Sequence, residues 1–78
     1  MIIKILGSGC SKCNKLEERS RKALKELGIN VPVIKVGDYR QIMAYGVMTT
    51  PALVINDQVV VMGNVPSVKE IKGILLNY

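Results

Sequence analysis

Residues 7–13 read Gly7-Ser8-Gly9-Cys10-Ser11-Lys12-Cys13. A short apolar run, Met1-Ile2-Ile3-Lys4-Ile5-Leu6, leads into this stretch, and a helical pattern leaves it. It holds the only two cysteines of the chain, two residues apart, at the handover from strand to helix. A helix N-terminus carries unpaired N–H groups and partial positive charge, so it stabilises an anion placed there. For a cysteine that anion is the thiolate, the species that attacks disulfides and binds soft metals.

Outward from this point the elements follow in order. Residues 1–6 read as a buried strand, β-branched and apolar apart from Lys4. Over residues 11–27, Cys13, Leu16, Ser20, Ala23, Leu24 and Leu27 recur at the spacing of one helix face, and Gly28 supplies the stop. Cys13 lies on that stripe, whereas Cys10 sits at or just before the first turn, off the stripe and nearer solvent. A second strand at 31–36 has Pro32 at its start, where proline is tolerated. Asp38 is the candidate N-cap of a short helix at 39–45, with Gly46 as its stop. A third strand at 52–55 follows Thr49-Thr50-Pro51, Asn56-Asp57 signals a hairpin, and residues 59–62 form a fourth strand. Ser67-Val68-Lys69-Glu70 spells a capping box for a last helix whose apolar face is Val68, Ile71, Ile74 and Leu75.

The order is therefore β-α-β-α-β-β-α. Connections through helices favour parallel neighbours among the first three strands, and the last two pair antiparallel. The expected architecture is a single α/β domain over residues 1–78, a four-stranded mixed sheet with helices on both faces.

Composition narrows the function. The chain has 78 residues, three Tyr and no Phe or Trp, so its modest core rests on Leu, Ile and Val. Net charge is +5, but no block of five basic residues occurs and no aromatics interleave with them, so no nucleic-acid partner is expected. The Lys and Arg residues between 12 and 25 mix with Glu17, Glu18 and Glu26, as on a solvated helix face. The run at 1–6 is too short for a signal-peptide core or a membrane span, which predicts a cytoplasmic protein with no membrane partner. In a reducing cytosol a lone close pair of cysteines is more often catalytic or metal-binding than structural. In the loop-entropy model, closing so small a ring stabilises by only about 2 kcal/mol.

Two chemistries use such a pair. In an enzyme, Cys10 attacks a substrate disulfide as a thiolate supported by the helix N-terminus and Lys12, and Cys13, one turn away, resolves the mixed disulfide. In a small carrier, the same two thiolates hold Cu(I). A structural zinc site wants four ligands, and two cysteines without histidine do not supply them, so no bound metal or other cofactor is expected. Pro51 heads the third strand at the same end of the sheet as Cys10, and Thr50 can offer its backbone to an extended peptide. Tyr39 and Tyr45 flank the second helix, where they either line the approach to Cys10 or, in the favoured reading, pack partly buried with a wet hydroxyl; Met43 and Met48 read as core filler rather than copper ligands.

Taken together, the Cys-x-x-Cys after strand one, the Thr-Thr-Pro-Ala-Leu-Val-Ile run at 49–55 and the element order resemble the thioredoxin superfamily. They look most like its small, glutaredoxin-sized archaeal and bacterial members, with a Gly-x-Gly-Cys-x-x-Cys start. The resemblance implies a thioredoxin-like fold and a thiol–disulfide oxidoreductase. Cys10 is then the nucleophile, Cys13 resolves, and Pro51 is cis beside them; Thr50, by strand addition, and Lys12, by its nearness to Cys10 in sequence, are the further substrate-binding candidates. The expected partners are a disulfide-containing protein as substrate and either a reductase or glutathione as electron donor, with a monomer as the default oligomeric state. Gly9 rather than Trp precedes the first cysteine, Ser11-Lys12 rather than Gly-Pro separates the two, and residues 1–9 contain no carboxylate. Small copper carriers resemble a β-α-β-β-α-β pattern ending on a strand, whereas this chain ends on a capped helix.

Overall fold

The computed structural model describes residues 1–7 and 11–77. Its elements are β1 (Ile3–Leu6), α1 (Ser11–Leu27), β2 (Val33–Val36), α2 (Tyr39–Ala44), β3 (Ala52–Ile55), β4 (Gln58–Met62) and α3 (Val68–Leu75). One mixed sheet runs in the order β2-β1-β3-β4. β1 lies parallel to β2, with Leu6 opposite Val36.

β1 and β3 are antiparallel, which corrects the expectation of three parallel strands: Leu6 faces Ala52 and Ile3 faces Ile55. α2 has only six residues, a rise of about 9 Å against about 13 Å for a four-residue strand. The chain turns back after it, with Gly46 at φ 75°, and enters β3 at the end of the sheet where β2 stopped. This reversal brings Pro51 beside the end of β1. The expected position of Pro51 at this end of the sheet therefore depends on the antiparallel β3; a parallel one, as also expected, would have put Pro51 at the far end, away from Cys13.

Alternation along the strands divides the core between two faces. Ile3, Ile5, Leu53 and Ile55 pack under α1 and α3, against Leu16, Ala23, Leu24, Ile71 and Leu75. Leu6, Ala52 and Val54 point the other way, against Val36, Val47 and Ile42 of α2. Each large aliphatic side chain so buried contributes about 1.5–3 kcal/mol. Glu26 of α1 and Lys72 of α3 pair at 2.9 Å across the seam between the two helices.

Lys4, the charged residue of β1, lies on the α2 face. Its Nζ donates to Tyr45 Oη at 2.8 Å, and Tyr45 Oη donates to Asp57 Oδ1 at 3.1 Å. The Tyr45 hydroxyl, helped by Asp57, holds the Lys4 pKa above its ordinary value. The ammonium thus reaches solvent-side partners while its stem covers the sheet.

The local signals act as their chemistry requires. Asp38 caps α2 by accepting from the Arg40 N–H at 2.9 Å. Ser67 and Glu70 form a reciprocal capping box at α3. Asn56 and Asp57 have φ 51° and 65°, the two left-handed central residues of a tight hairpin. Boundaries differ at strand starts: β1 begins at Ile3 and β2 at Val33, with Ile2 and Pro32 exposed, and β4 begins at Gln58, which pairs with Ile55. Among the described residues no helix is long and apolar enough to cross a membrane.

Candidate functional site

The site is built where β1 ends. The Gly7 N–H donates to Val36 O at 2.9 Å, which extends the β1–β2 ladder by one bond. Gly7 then takes φ 129°, a conformation that side chains rarely adopt. Cys13, the third residue of α1, is 1% exposed on the apolar stripe of that helix. A Cβ placed on Gly7 would lie 2.7 Å from Cys13 Sγ and 3.2 Å from Thr50 Cβ. The Cys13 sulfur, the strand end and the residue before Pro51 therefore converge on the bare Cα of Gly7.

The Thr50–Pro51 peptide bond is cis. Pro51 is buried and Thr50 is exposed. Pro51 O accepts from the Gly63 N–H at 2.8 Å, and a Cβ on Gly63 would lie 2.8 Å from Thr49 Oγ1. The loop after β4 is thus seated on the segment 49–51. Lys12 is exposed in the first turn of α1, a turn without an acidic side chain to offset the positive end of the helix. Cys13 is disulfide-bonded. Cys10, the candidate nucleophile, lies outside the described residues, as do Ser8 and Gly9.

A cleft of about 370 Å³ opens beside Gly7 and Thr50, walled by Tyr39, Ile42, Met43, Val47 and Met48. Met48 is 87% exposed and Met43 53%, so neither fills the core as the sequence suggested. Both sit on the short α2 and the turn after it, which cannot bury every apolar side chain they carry. Tyr39 lines the cleft but is 72% exposed rather than packed, while half-buried Tyr45 is drawn off to Lys4 and Asp57. A second hollow of about 430 Å³, between Leu24, Gly28 and Val31, lies at the other end of α1 from Cys13. Among the described residues no group of three or more His, Cys, Asp or Glu is placed to hold a metal ion.

Sequence reasoning passed over Gly7 and Gly63 as site residues. Each is readable as a turn glycine, but the sulfur and the threonine hydroxyl that exclude a side chain there belong to other elements.

The family model described as a thioredoxin domain matches residues 1–76. A thioredoxin of Methanocaldococcus jannaschii is 42% identical over 78 residues, covering 100% of this chain and 90% of the relative. A thioredoxin of Methanothermobacter thermautotrophicus is 41% identical over 75 residues, covering 96% and 97%. A probable thioredoxin of Archaeoglobus fulgidus is 35% identical over 69 residues, covering 85% and 75%. None of the three is named as a copper carrier, and nothing in the comparisons supports that alternative.

Proposed function

Because this chain belongs to the thioredoxin-domain family and is a thiol–disulfide oxidoreductase, we propose that Cys10 is its nucleophile and Cys13 its resolving thiol. The Cys10 thiolate attacks one sulfur of a protein disulfide, forming a mixed disulfide and releasing the other sulfur as a thiolate. The Cys13 thiolate then attacks the Cys10 sulfur. A Cys10–Cys13 disulfide forms, the second substrate thiolate leaves, and two electrons have passed from the dithiol to the substrate. The released thiolates take up the protons lost by the two cysteines.

The observation that carries this reading is the meeting of Cys13 Sγ and Thr50 at Gly7. It sets a buried sulfur beside an exposed residue whose successor, Pro51, has no N–H to compete for an incoming chain. Thr50 offers its backbone to the extended substrate segment, and Lys12 adds positive charge near the attacking thiolate.

For the electron donor we assign a protein reductase rather than glutathione. Glu70 Oε1 accepts from the Ser67 N–H at 3.2 Å and from Ser67 Oγ at 3.1 Å. The N-terminus of α3, where a glutathione carboxylate would sit, therefore already holds the chain's own anion. The chain acts as a cytoplasmic monomer in this reading.

The test is reduction of insulin by dithiothreitol, followed by turbidity. The wild type is expected to accelerate it and Cys10→Ser to abolish the acceleration. Equal, slow reduction by both would overturn the assignment.

A further inference from the structure

Residues 63–66 read Gly63-Asn64-Val65-Pro66 and belong to no strand or helix. Carbonyls in such a segment need donors from elsewhere. Arg19 supplies them. Its Nη1 donates to Val65 O and to Pro66 O, at 3.2 Å each, from a partly buried position on α1. The other end of the same loop is tied to the site: Gly63 donates to Pro51 O at 2.8 Å and packs against Thr49 Oγ1. A continuous set of contacts thus runs from α1, the helix that carries Cys13, through the loop to the segment 49–51.

We infer that Arg19 is a positioning residue for the substrate-binding segment Thr49-Thr50-Pro51, acting through the loop 63–66. This rests on the proposed function, since it takes that segment as the one the substrate meets. The guanidinium fixes how far the loop stands from α1, and the loop fixes the height of Thr50 over the Cys13 sulfur. A planar guanidinium held on two neighbouring carbonyls sets both distance and orientation, which a single ammonium on a flexible stem does less well. Arg19 touches neither sulfur, so its loss weakens the docking of a protein chain without altering the exchange chemistry itself.

The experiment compares wild type, Arg19→Gln and Arg19→Lys on two substrates, insulin and a small aromatic disulfide that needs no docking surface. Hydrogen exchange at the Gly63 amide is measured alongside. In Arg19→Gln, KM for insulin rises about threefold to tenfold, the size of one of the two hydrogen bonds at stake. Its kcat and its rate with the small disulfide stay within about twofold, and Gly63 exchanges faster. Arg19→Lys falls between the two. An unchanged KM with unchanged Gly63 exchange overturns the inference, as does a parallel fall of KM-independent rates on both substrates, the mark of a general loss of fold. Should Arg19→Gln not fold, Arg19→Lys decides by the same criteria. A wild type inactive on both substrates would instead count against the proposed function.

Discussion

Replacing Gly7 by alanine tests the geometry of the site where it is tightest. The new Cβ would stand 2.7 Å from Cys13 Sγ, about 1 Å inside the roughly 3.5–4.0 Å of ordinary contacts. Neither neighbour yields easily, because Cys13 is fixed on a packed helix and Thr50 precedes a buried proline. Overpacking of this kind costs about 1–3 kcal/mol. The backbone adds to it: φ at Gly7 is 129°, and holding a non-glycine residue in such a region costs about 1–3 kcal/mol more. The sum, about 2–6 kcal/mol, is a large share of the roughly 4–12 kcal/mol expected for a domain of this length. Gly28→Ala is the control, because Gly28 has φ 70° but nothing within 4 Å of an added Cβ; it loses only the backbone part, about 1–2 kcal/mol. The assay is urea unfolding of both oxidised variants, with the midpoint shift read at constant m-value. Gly7→Ala is expected to lose at least about 1 kcal/mol more than Gly28→Ala, the lower limit of the overpacking cost. Equal losses in the two variants would refute the placement of the Cys13 sulfur against Gly7.

Three further outcomes follow from other parts of the molecule. Gly73 lies inside α3 with open space around it, so Gly73→Ala raises stability by about 0.5–1 kcal/mol in thermal unfolding. Ser20 Oγ is buried in α1 with no hydrogen-bond partner among the described residues; Ser20→Ala removes that unsatisfied hydroxyl and gains about 1 kcal/mol, where a loss of that size would contradict its lack of a partner. Glu17 accepts from Arg21 at 3.0 Å and pairs with Lys35 at 3.2 Å, and these two cations hold its carboxyl below the ordinary 4.5. A carboxyl lowered in the folded state stabilises fully above its unfolded value and loses that contribution as pH falls through the folded one. Wild type should therefore lose stability below about pH 4.5 more steeply than Glu17→Gln, by at most about 1 kcal/mol because both cations are half-exposed; identical acid slopes in urea titrations would contradict this.

What the sequence made legible was local. The capping box at Ser67 and Glu70, the Asn56-Asp57 turn, the stripe from Cys13 to Leu24 and the strand-to-helix handover at Gly7 each depend on neighbours in the chain, and each stands as its residues suggest. What it hid was long-range. The direction of β3 depends on how the chain reverses after a six-residue helix, and no local pattern records that. The exposure of Met43 and Met48 depends on how little of the sheet α2 covers. Gly7 and Gly63 are turn glycines by sequence, but their close neighbours, Cys13, Thr50 and Thr49, come from other elements. Arg19 looks like one more cation on a charged helix face until the loop carbonyls it holds are seen. The site was therefore readable as a list of residue types, Cys10, Cys13, Thr50 and Pro51, and not as an arrangement.

The account rests on Cys10 and Cys13 forming one reversible disulfide. The most direct measurement is a redox titration: the protein is equilibrated at graded thiol-to-disulfide ratios, quenched with an alkylating reagent, and the adducts are counted by mass. The account predicts a passage between no adducts and two along a two-electron curve, with that transition abolished by Cys10→Ser or Cys13→Ser. A wild type carrying the same number of adducts at every ratio would contradict it.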